Sequence, residues 1–381
     1  MDRRVAIVGI GQTRYETGKT ESLDEIAFEA ASKALADAGI TRDEVDNVVI
    51  AASDQLDGRP ISSMTLACPA GGYLKDEVKA SDDGTLAVVL ACLRLLSGVF
   101  HTSLVVSWCK CSEVPTAKVT NLSFDPFFHR DLGLNHINAL SFQVNSYLSR
   151  YPISEWVPAK IVVKNRANAM GNPYAHLVEE VSLEEVVQSP IVCPPLRQLH
   201  LPLECDGACA LVLTTRERVR LTTQKPVWIS GLGWAMDSYY LGERDLHQLS
   251  SVAKAARQAY QRAGIKKPID EIDVAEINEL SAYHEIMAYE ALDFCTPGEG
   301  YKLVEEGSTE LTGKIPVNPS GGALAASPLF AAGLVRIAEA ALQVRGDAGE
   351  RQVTGVRTAL AASCYGICAQ GSSVFILSQE S

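Results

Sequence analysis

Side chains that can transfer protons follow two apolar segments in the second part of the chain. Tyr283 and His284 come shortly after the apolar segment that ends at Asn278, and Tyr365 follows a run of small residues. Phenol and imidazole groups act as general acids and bases when their surroundings bring the pKa toward neutrality. We therefore predict that Tyr365 and either Tyr283 or His284 carry protons. The alternatives are a packed loop aromatic and a histidine bonded to the backbone at a helix start.

The cysteines are scattered along the chain. There are 10 of them without paired Cys-x-x-Cys motifs, so we predict no metal site. Cys364 and Cys368 lie beside Tyr365, and Cys109 and Cys111 follow another apolar segment. If the chemistry needs a sulfur nucleophile, these four thiols are our candidates. Burial in the core is the alternative interpretation of all four.

The composition limits the partners and the location of the protein. The chain of 381 residues carries a formal net charge of −12, which argues against binding to the phosphate backbone of a nucleic acid. No apolar run reaches the roughly 18 residues of a membrane span. The first residues do not resemble a secretory signal, so we expect a cytoplasmic protein. The length suits two domains of about 150–200 residues each.

An internal repeat determines where the chemical residues lie. Residues 5–51 and 227–278 each read as a strand, a glycine turn, an amphipathic helix ended by Ala-Gly-Ile, and a second apolar strand. A repeat with so long a period indicates two similar α/β domains. We place the boundary before Pro226, which gives halves of 1–225 and 226–381. The glycine turns lack the third glycine and the acidic residue of a dinucleotide-binding motif, so NAD binding is not expected.

Each half is predicted to contain a buried helix preceded by polar or small residues. Ser81-Asp-Asp-Gly84 precedes an apolar helix in the first half, and Asn318-Pro-Ser-Gly-Gly322 precedes a helix from 329 to 344 in the second. Unpaired N–H groups at a helix start stabilise anions and thioester oxygens. Asp82 and Asp83 are interpreted as ordinary acidic residues of a first turn. An insertion at about 113–200, rich in Phe, His, Asn and Pro, is expected to cover the site.

Five motifs in order resemble the thiolase superfamily, and specifically its sterol-carrier or lipid-transfer type. The resemblance covers nearly the whole chain. It implies an α/β thiolase fold with two βαβαβαββ halves in a five-layered α/β/α/β/α core, at least a homodimer, and an acyl-CoA substrate. No cofactor is bound permanently, because coenzyme A is part of the substrate or product. The motifs are Val5–Thr13, Val163–Ala169 with Asn172–His176, Cys205–Ala208, Ile277–Glu285 and Asn318–Leu324.

The resemblance also assigns residues, with two departures from the family pattern. Ser81 stands where the family has its nucleophilic cysteine, and Ala325-Ala-Ser-Pro328 stands where the family has Gly-His-Pro. A second family cysteine, which handles protons, matches Tyr365, with Cys364 and Cys368 close enough for a shift in alignment. Ser81 is either a helix cap or, less simply, a nucleophile.

Two further motifs match the family without a departure. Asn278 matches an oxyanion-hole donor, with a satisfied buried amide as the alternative interpretation. The loop of Asn318, Ser320, Gly321 and Gly322 matches the segment that lies against the thioester end of coenzyme A, with packing by small residues as the alternative.

The joint loss of the cysteine and the histidine favours chemistry without a covalent intermediate. The resemblance is closest to the thiolase-like aldolases of steroid side-chain breakdown, which use tyrosines and pair with a DUF35 partner carrying a zinc ribbon and an OB-fold. We therefore expect retro-aldol cleavage of a bulky β-hydroxyacyl-CoA. One alternative is a thiolase subunit, an acyltransferase that cleaves a bulky aromatic or dicarboxylic β-ketoacyl-CoA with coenzyme A. The other is a non-catalytic acyl-CoA-binding scaffold for a DUF35 partner.

Overall fold

The computed structural model describes residues 4–175, 179–222 and 225–380. His176, the last residue of one family motif, lies outside these ranges. The strands of the first half are β1 (Val5–Gln12), β2 (Asn47–Ala51), β3 (Asp76–Ala80), β4 (Thr102–Cys109), β5 (Ile191–Cys193), β6 (Leu196–Arg197) and β7 (Gly207–Thr215). Its helices are α1 (Leu23–Ala38), α2 (Ser62–Leu66), α3 (Gly84–Ser97), α4 (Thr116–Asn121), α5 (His136–Arg150), α6 (Trp156–Ala169) and α7 (Leu183–Gln188).

The second half repeats the order of the first without its insertion. Its strands are β8 (Val227–Met236), β9 (Val274–Asn278), β10 (Thr358–Tyr365) and β11 (Gly371–Ser378). Its helices are α8 (Ser250–Ala263), α9 (Pro268–Glu271), α10 (Ala282–Ala291), α11 (Gly300–Glu305), α12 (Gly322–Ala325) and α13 (Ala332–Arg345).

The strands of the two halves meet edge to edge. The order is β3-β2-β4-β7-β1 in the first half and β8-β11-β10-β9 in the second. Only two residue pairs, Ala6 with Trp228 and Ile7 with Val227, join β1 to β8. In each half the strand after the repeat helix pairs in parallel with its neighbour, and the last strand returns antiparallel. The predicted duplication is therefore present in the pairing pattern.

Helices cover both faces of the sheet and form the predicted five layers. Helix α1 packs on β1 and β7, and α8 packs on β8 and β11, so these two are the outer helices. Helices α3 and α13 contact each other between the halves, and a cluster of buried apolar residues from both helices and both sets of strands forms the central core. The α/β/α/β/α fold class expected from the sequence is confirmed.

Matched glycine pairs set the distance between strand and outer helix in each half. A Cβ atom added at Gly9 or Gly11 of β1 would overlap a backbone carbonyl oxygen of α1, and one added at Gly231 or Gly233 of β8 would overlap a carbonyl oxygen of α8. Only glycine permits such close backbone contact. The glycines predicted to form a turn after each strand therefore lie inside the strand, where they serve packing.

The second half departs from the predicted pattern in two places. The third strand of the first half is replaced by a single bridge between Ala275 and Val317, because Pro316 has no N–H with which to extend a ladder. Helix α13 begins at Ala332, after a 3₁₀ turn at Leu329–Ala331. The prediction that Ser320-Gly-Gly322 lies at the start of this buried helix was therefore wrong, since the loop instead precedes the short helix α12.

A buried polar network joins the halves behind the core. The Glu339 carboxylate on α13 accepts hydrogen bonds from Gln12 Nε2 at 2.8 Å and from Arg351 Nε at 2.6 Å. Tyr15 donates its hydroxyl to Gln12 Oε1 at 2.8 Å. Each buried polar group thus has a partner from the other half or from the next element.

The described residues include neither a membrane-spanning helix nor a metal-binding cluster. None of the helices there is long and apolar enough to cross a membrane. Nor do those residues contain a group of three or more His, Cys, Asp or Glu side chains able to hold a metal ion.

Candidate active site

A cavity of about 420 Å³ opens where the two halves meet the insertion. Its reactive wall contains Asp82 and Asp83 from the start of α3, Asn278 from the end of β9, and Tyr365 from the end of β10. The remaining surface is mostly apolar, and it comes from α4, α5, the segments before β7 and before α13, and the loop between β10 and β11. The segment predicted to cover the site therefore lines it.

Tyr365 is placed by the geometry of the last hairpin. It is the final residue of β10 and pairs across the strands with Gly371 of β11. A Cβ atom at Gly371 would overlap the Tyr365 ring, so the glycine lets the ring lie against the backbone. Burial, with added effects from Asp83 and Asp82, raises the pKa of Tyr365 to about 12. The phenol is therefore a proton donor at neutral pH.

Asp83 lies in the same wall and comes from the other half. It is the N-cap of α3, where its Oδ1 accepts hydrogen bonds from the backbone N–H of Thr85 at 2.8 Å and the Thr85 hydroxyl at 2.5 Å. Helix α13 approaches so closely that a Cβ atom at Gly333 would overlap this carboxylate. Burial raises the pKa of Asp83 to about 6, against the opposing effect of these hydrogen bonds. Asp83 is therefore mostly ionised at neutral pH and able to accept a proton.

Asn278 connects the ends of β9 and β10. Its Nδ2 donates to Ser363 Oγ at 3.0 Å and, over a longer distance of 3.4 Å, to the Cys364 carbonyl oxygen. The Ser363 hydroxyl also stabilises the ionised form of Asp83. A chain of polar contacts thus joins Asp83 to Asn278 next to Tyr365.

Glu279 follows Asn278, also lines the cavity, and is held by the glycine loop. Its carboxylate accepts hydrogen bonds from Asn318 Nδ2 at 3.0 Å and from the backbone N–H of Leu324 at 2.8 Å. Burial and the neighbouring Glu285 carboxylate raise the pKa of Glu279 above its ordinary value. A Cβ atom at Gly322 would overlap this carboxylate, so the glycine is required by packing.

The rest of that loop is buried and fully bonded. Ser320 Oγ donates to Glu276 at 2.6 Å and accepts from Arg336 at 2.7 Å. Gly321 has a φ of 96° and lies against Ala169. Among the residues that the structure describes, Asn318, Ser320, Gly321 and Gly322 are not part of the cavity lining, and their role toward coenzyme A stays a prediction.

Tyr283 and His284 lie on α10, outside the cavity lining of the described chain. Tyr283 packs among Leu140, Val144 and Leu196, and burial raises its pKa to about 12. The two ring nitrogens of His284 contact Ser281 Oγ and Gln143 Oε1, each at 2.8 Å, and burial lowers its pKa to about 3. Their placement favours a packing role over the predicted proton transfer.

The sulfur and hydroxyl candidates are poor nucleophiles here. Burial raises the pKa of Cys364 and of Cys368 to about 12, although both line the cavity. The Cys368 thiol donates to the Ala139 carbonyl oxygen at 3.0 Å. Ser81 is exposed two residues before the cap of α3, and the described cavity lining does not include it.

A second polar cluster in the cavity was missed by the sequence analysis. Thr116 and Thr120 of α4, His136 of α5 and Glu204 all line the cavity. His136 Nε2 lies 3.5 Å from Glu204 Oε1, and its Nδ1 lies 2.9 Å from Thr120 Oγ1. The only sequence signal was the histidine-rich insertion, because nothing local links position 136 to position 204.

Comparisons with known proteins agree with this architecture. An acetyl-CoA acetyltransferase of Methanothermobacter thermautotrophicus is 30% identical over 374 residues, which cover 93% of this chain and 94% of that protein. The chain belongs to the thiolase superfamily. The thiolase C-terminal domain-like family matches residues 233–379. Bovine sterol carrier protein 2 is 30% identical over 94% of this thiolase chain and 69% of its own length. The predicted sterol-carrier-type resemblance is confirmed.

A solved structure shares the whole thiolase fold. The structure described as the Ltp2–ChsH2(DUF35) aldolase matches with a TM-score of 0.85 at 23% identity, covering 98% of this chain and 97% of that one. The expectation of an enzyme that acts on acyl-CoA is confirmed at the level of the superfamily. The reaction and the substrate are a separate question.

Proposed function

We propose that this thiolase-superfamily enzyme cleaves a bulky β-hydroxyacyl-CoA by a retro-aldol reaction. The observation that carries the proposal is the pairing of Asp83 and Tyr365 in one wall of the cavity, with pKa values of about 6 and about 12. Two titratable groups whose pKa values are driven apart in this way suit the roles of base and acid. The protonated thiols of Cys364 and Cys368 favour a mechanism without an acyl-enzyme.

In this reaction Asp83 accepts a proton from the substrate and Tyr365 donates one to it. The Asp83 carboxylate accepts the proton of the β-hydroxyl, and the β-carbon becomes the carbonyl of a released ketone or aldehyde. The electron pair of the α–β carbon bond moves into the thioester, which becomes an enolate. The Tyr365 hydroxyl then gives its proton to the α-carbon and yields a shorter acyl-CoA. The proton on Asp83 returns to Tyr365 through solvent, which completes the cycle.

The enolate oxygen requires a hydrogen-bond donor. Asn278 is our candidate, because its bond of 3.4 Å to the Cys364 carbonyl oxygen is long for an N–H···O bond. Exchange of this contact for the thioester oxygen would cost little. The bond of 3.0 Å to Ser363 would keep the amide in place.

Product analysis tests the proposal. Incubation of a β-hydroxyacyl-CoA with the protein in the absence of free coenzyme A should yield one shorter thioester and one ketone or aldehyde, measured by mass spectrometry. A requirement for free coenzyme A and a β-keto substrate, with two thioester products, would instead support the thiolase alternative. That alternative is favoured by the relationship to an acetyl-CoA acetyltransferase. If neither activity appeared even after a DUF35 partner was added, the result would support the alternative of a non-catalytic acyl-CoA-binding scaffold.

We also propose a partner subunit and a symmetric pair of catalytic chains. The aldolase with a TM-score of 0.85 is described together with a DUF35 protein, and identical chains most often associate as two-fold dimers. Co-expression with a DUF35 partner followed by size-exclusion chromatography with light scattering measures both associations. A monomer that never binds such a partner would contradict this part.

A further inference from the structure

The cluster of Thr116, Thr120, His136 and Glu204 is a polar site inside a mostly apolar cavity. It lies on the insertion and on the segment before β7, whereas the reactive wall is formed by α3, β9 and β10. No hydrogen bond among the described residues joins His136 or Glu204 to Asp83, Asn278 or Tyr365. The mechanism proposed above therefore leaves this cluster without a task.

The hydrogen bonds of Thr120 favour a proton on His136 Nδ1. The Thr120 hydroxyl can donate its single proton to the Thr116 carbonyl oxygen at 2.9 Å. In that arrangement its oxygen accepts from the His136 backbone N–H at 3.4 Å and from His136 Nδ1 at 2.9 Å. A proton on Nδ1 leaves Nε2 as the ring atom that faces Glu204.

Glu204 is held as an ionised acceptor. Its Oε2 accepts from Thr116 Oγ1 at 2.8 Å. Burial alone would raise the pKa of Glu204, but the nearby His136 ring and the hydrogen bond from Thr116 outweigh it and lower the pKa. Oε1 is the remaining acceptor, and the side chains of His136 and Glu204 are 31% and 34% exposed. This exposure faces the cavity that both residues line.

His136 Nε2 and Glu204 Oε1 are too far apart for a strong hydrogen bond, so both atoms can still bind a further group. His136 Nε2 and Glu204 Oε1 are 3.5 Å apart, longer than the usual 2.7–3.2 Å of an N–H···O bond. A hydroxyl group placed beside them can donate to the carboxylate and, when Nε2 is protonated, accept from the imidazole. Nearby Phe124, Leu140 and Phe330 offer apolar contact to the rest of such a ligand.

We propose that His136 and Glu204 bind a hydroxyl group carried by the bulky acyl part of the substrate. This hydroxyl is distinct from the β-hydroxyl whose proton Asp83 accepts. The inference rests on one part of the proposed function, namely that an acyl-CoA binds in this cavity. It names the substrate class as apolar, ring-bearing acyl groups that carry a further hydroxyl as a hydrogen-bond donor.

Unreactive ligands test the site independently of the reaction. The probes are coenzyme A thioethers of 3-phenylpropyl, of its 3- and 4-hydroxyphenyl analogues and of the matching methoxyphenyl compounds. They lack the thioester carbonyl, so neither an enolate nor an acyl transfer is possible. Calorimetry on the full chain should show that at least one hydroxyphenyl ligand binds about tenfold more tightly than the phenyl ligand. The methoxy ligand, which cannot donate to Glu204, should lose this gain.

Variants assign the effect to residues. In Glu204→Gln and His136→Gln the preference for the hydroxyl should fall to within about threefold, since each change removes one side of the contact. Thr116→Val removes only the hydrogen bond to Glu204 Oε2, so it should reduce the preference for the hydroxyl by a smaller factor. It replaces the first two variants if they fail to fold. Ser123→Ala, at a lining residue outside the cluster, should keep the wild-type preference.

Two results would overturn the proposal. One is a wild-type protein that binds neither hydroxyphenyl ligand more tightly than the phenyl ligand. The other is a preference that survives intact in Glu204→Gln or, if that variant does not fold, in His136→Gln and Thr116→Val. Either result leaves retro-aldol products unaffected, and a lack of such products leaves these binding measurements unaffected, so the two proposals fail separately.

Discussion

The two halves of the molecule share a scaffold and differ in what they place at the cavity. Gly11 of β1 and Gly233 of β8 contact their outer helices in the same way. The two central helices differ, because α3 is capped by the cavity residue Asp83, whereas α13 begins at Ala332 with no side-chain cap. Duplication thus accounts for the layers, and divergence at the helix starts and strand ends accounts for the chemistry.

The reactive wall needs both halves. The first half supplies the carboxylate of Asp83, and the second supplies the phenol of Tyr365 and the amide of Asn278. A substitution in a shared scaffold position should therefore act on stability in either half. A substitution in the wall should act on turnover alone.

Tyr365→Phe should have the largest effect, a loss of about 10²–10⁴-fold in kcat, because it removes the acid. Tyr283→Phe is the matched control, since Tyr283 is also buried with a pKa of about 12 but lies outside the described cavity lining. Steady-state kinetics on a β-hydroxyacyl-CoA measures both. If both variants lost kcat equally, the cavity position of Tyr365 would not explain the effect, and Tyr365 would not be singled out as the acid.

Asp83→Asn should lower kcat/KM by about 10²-fold while the helix stays capped, because asparagine is also a good N-cap. The pKa of about 6 predicts the pH profile. A base acts only when ionised, so wild-type activity should fall as the pH drops through about 6, and the variant should lack this limb. A variant with the same acidic limb as the wild type would assign it to another group.

Gly11→Ala and Gly233→Ala should each lower the free energy of unfolding by about 1–3 kcal/mol, because each new Cβ overlaps helix backbone. Urea denaturation measures this quantity. Gly242→Ala, where nothing lies within 4 Å of the added atom, should stay within about 0.5 kcal/mol of wild type. If only one of the two variants lost much free energy of unfolding, the strand–helix packing would not contribute equally to stability in the two halves.

Ser22→Ala should have the smallest effect, a loss of about 1 kcal/mol, because Ser22 and Glu25 form a capping box at the start of α1. The matching helix of the second half has no side-chain cap at Leu249. Ser250→Ala is therefore the comparison, with an expected change near zero. Thermal unfolding of both variants would detect an unexpected cap on α8.

Local patterns predicted the scaffold well. The repeat predicted the strands and the outer helices, because glycine pairs and helix ends are encoded within a few residues, whereas the five layers were implied by the family resemblance. The helix predicted at 329–344 begins at Ala332, because residues 329–331 after Pro328 form a 3₁₀ turn that leads into it. Such boundaries depend on how the preceding loop packs.

The site was predictable only in part. Tyr365 follows from its position before the last strand, but sequence alone did not separate it from Tyr283. Asp83 was interpreted as an ordinary first-turn acid, but it is the N-cap of α3, and its raised pKa arises from burial against Gly333 of the other half. Long-range packing of this kind, like the meeting of His136 with Glu204, has no local signature.

The network of Gln12, Glu339 and Arg351 bears on how such a protein can be divided. If the second half were expressed alone, the Glu339 carboxylate would keep Arg351 but would lose its hydrogen bond from Gln12 of β1. Separate fragments should then be soluble only when produced together, as complementing pieces.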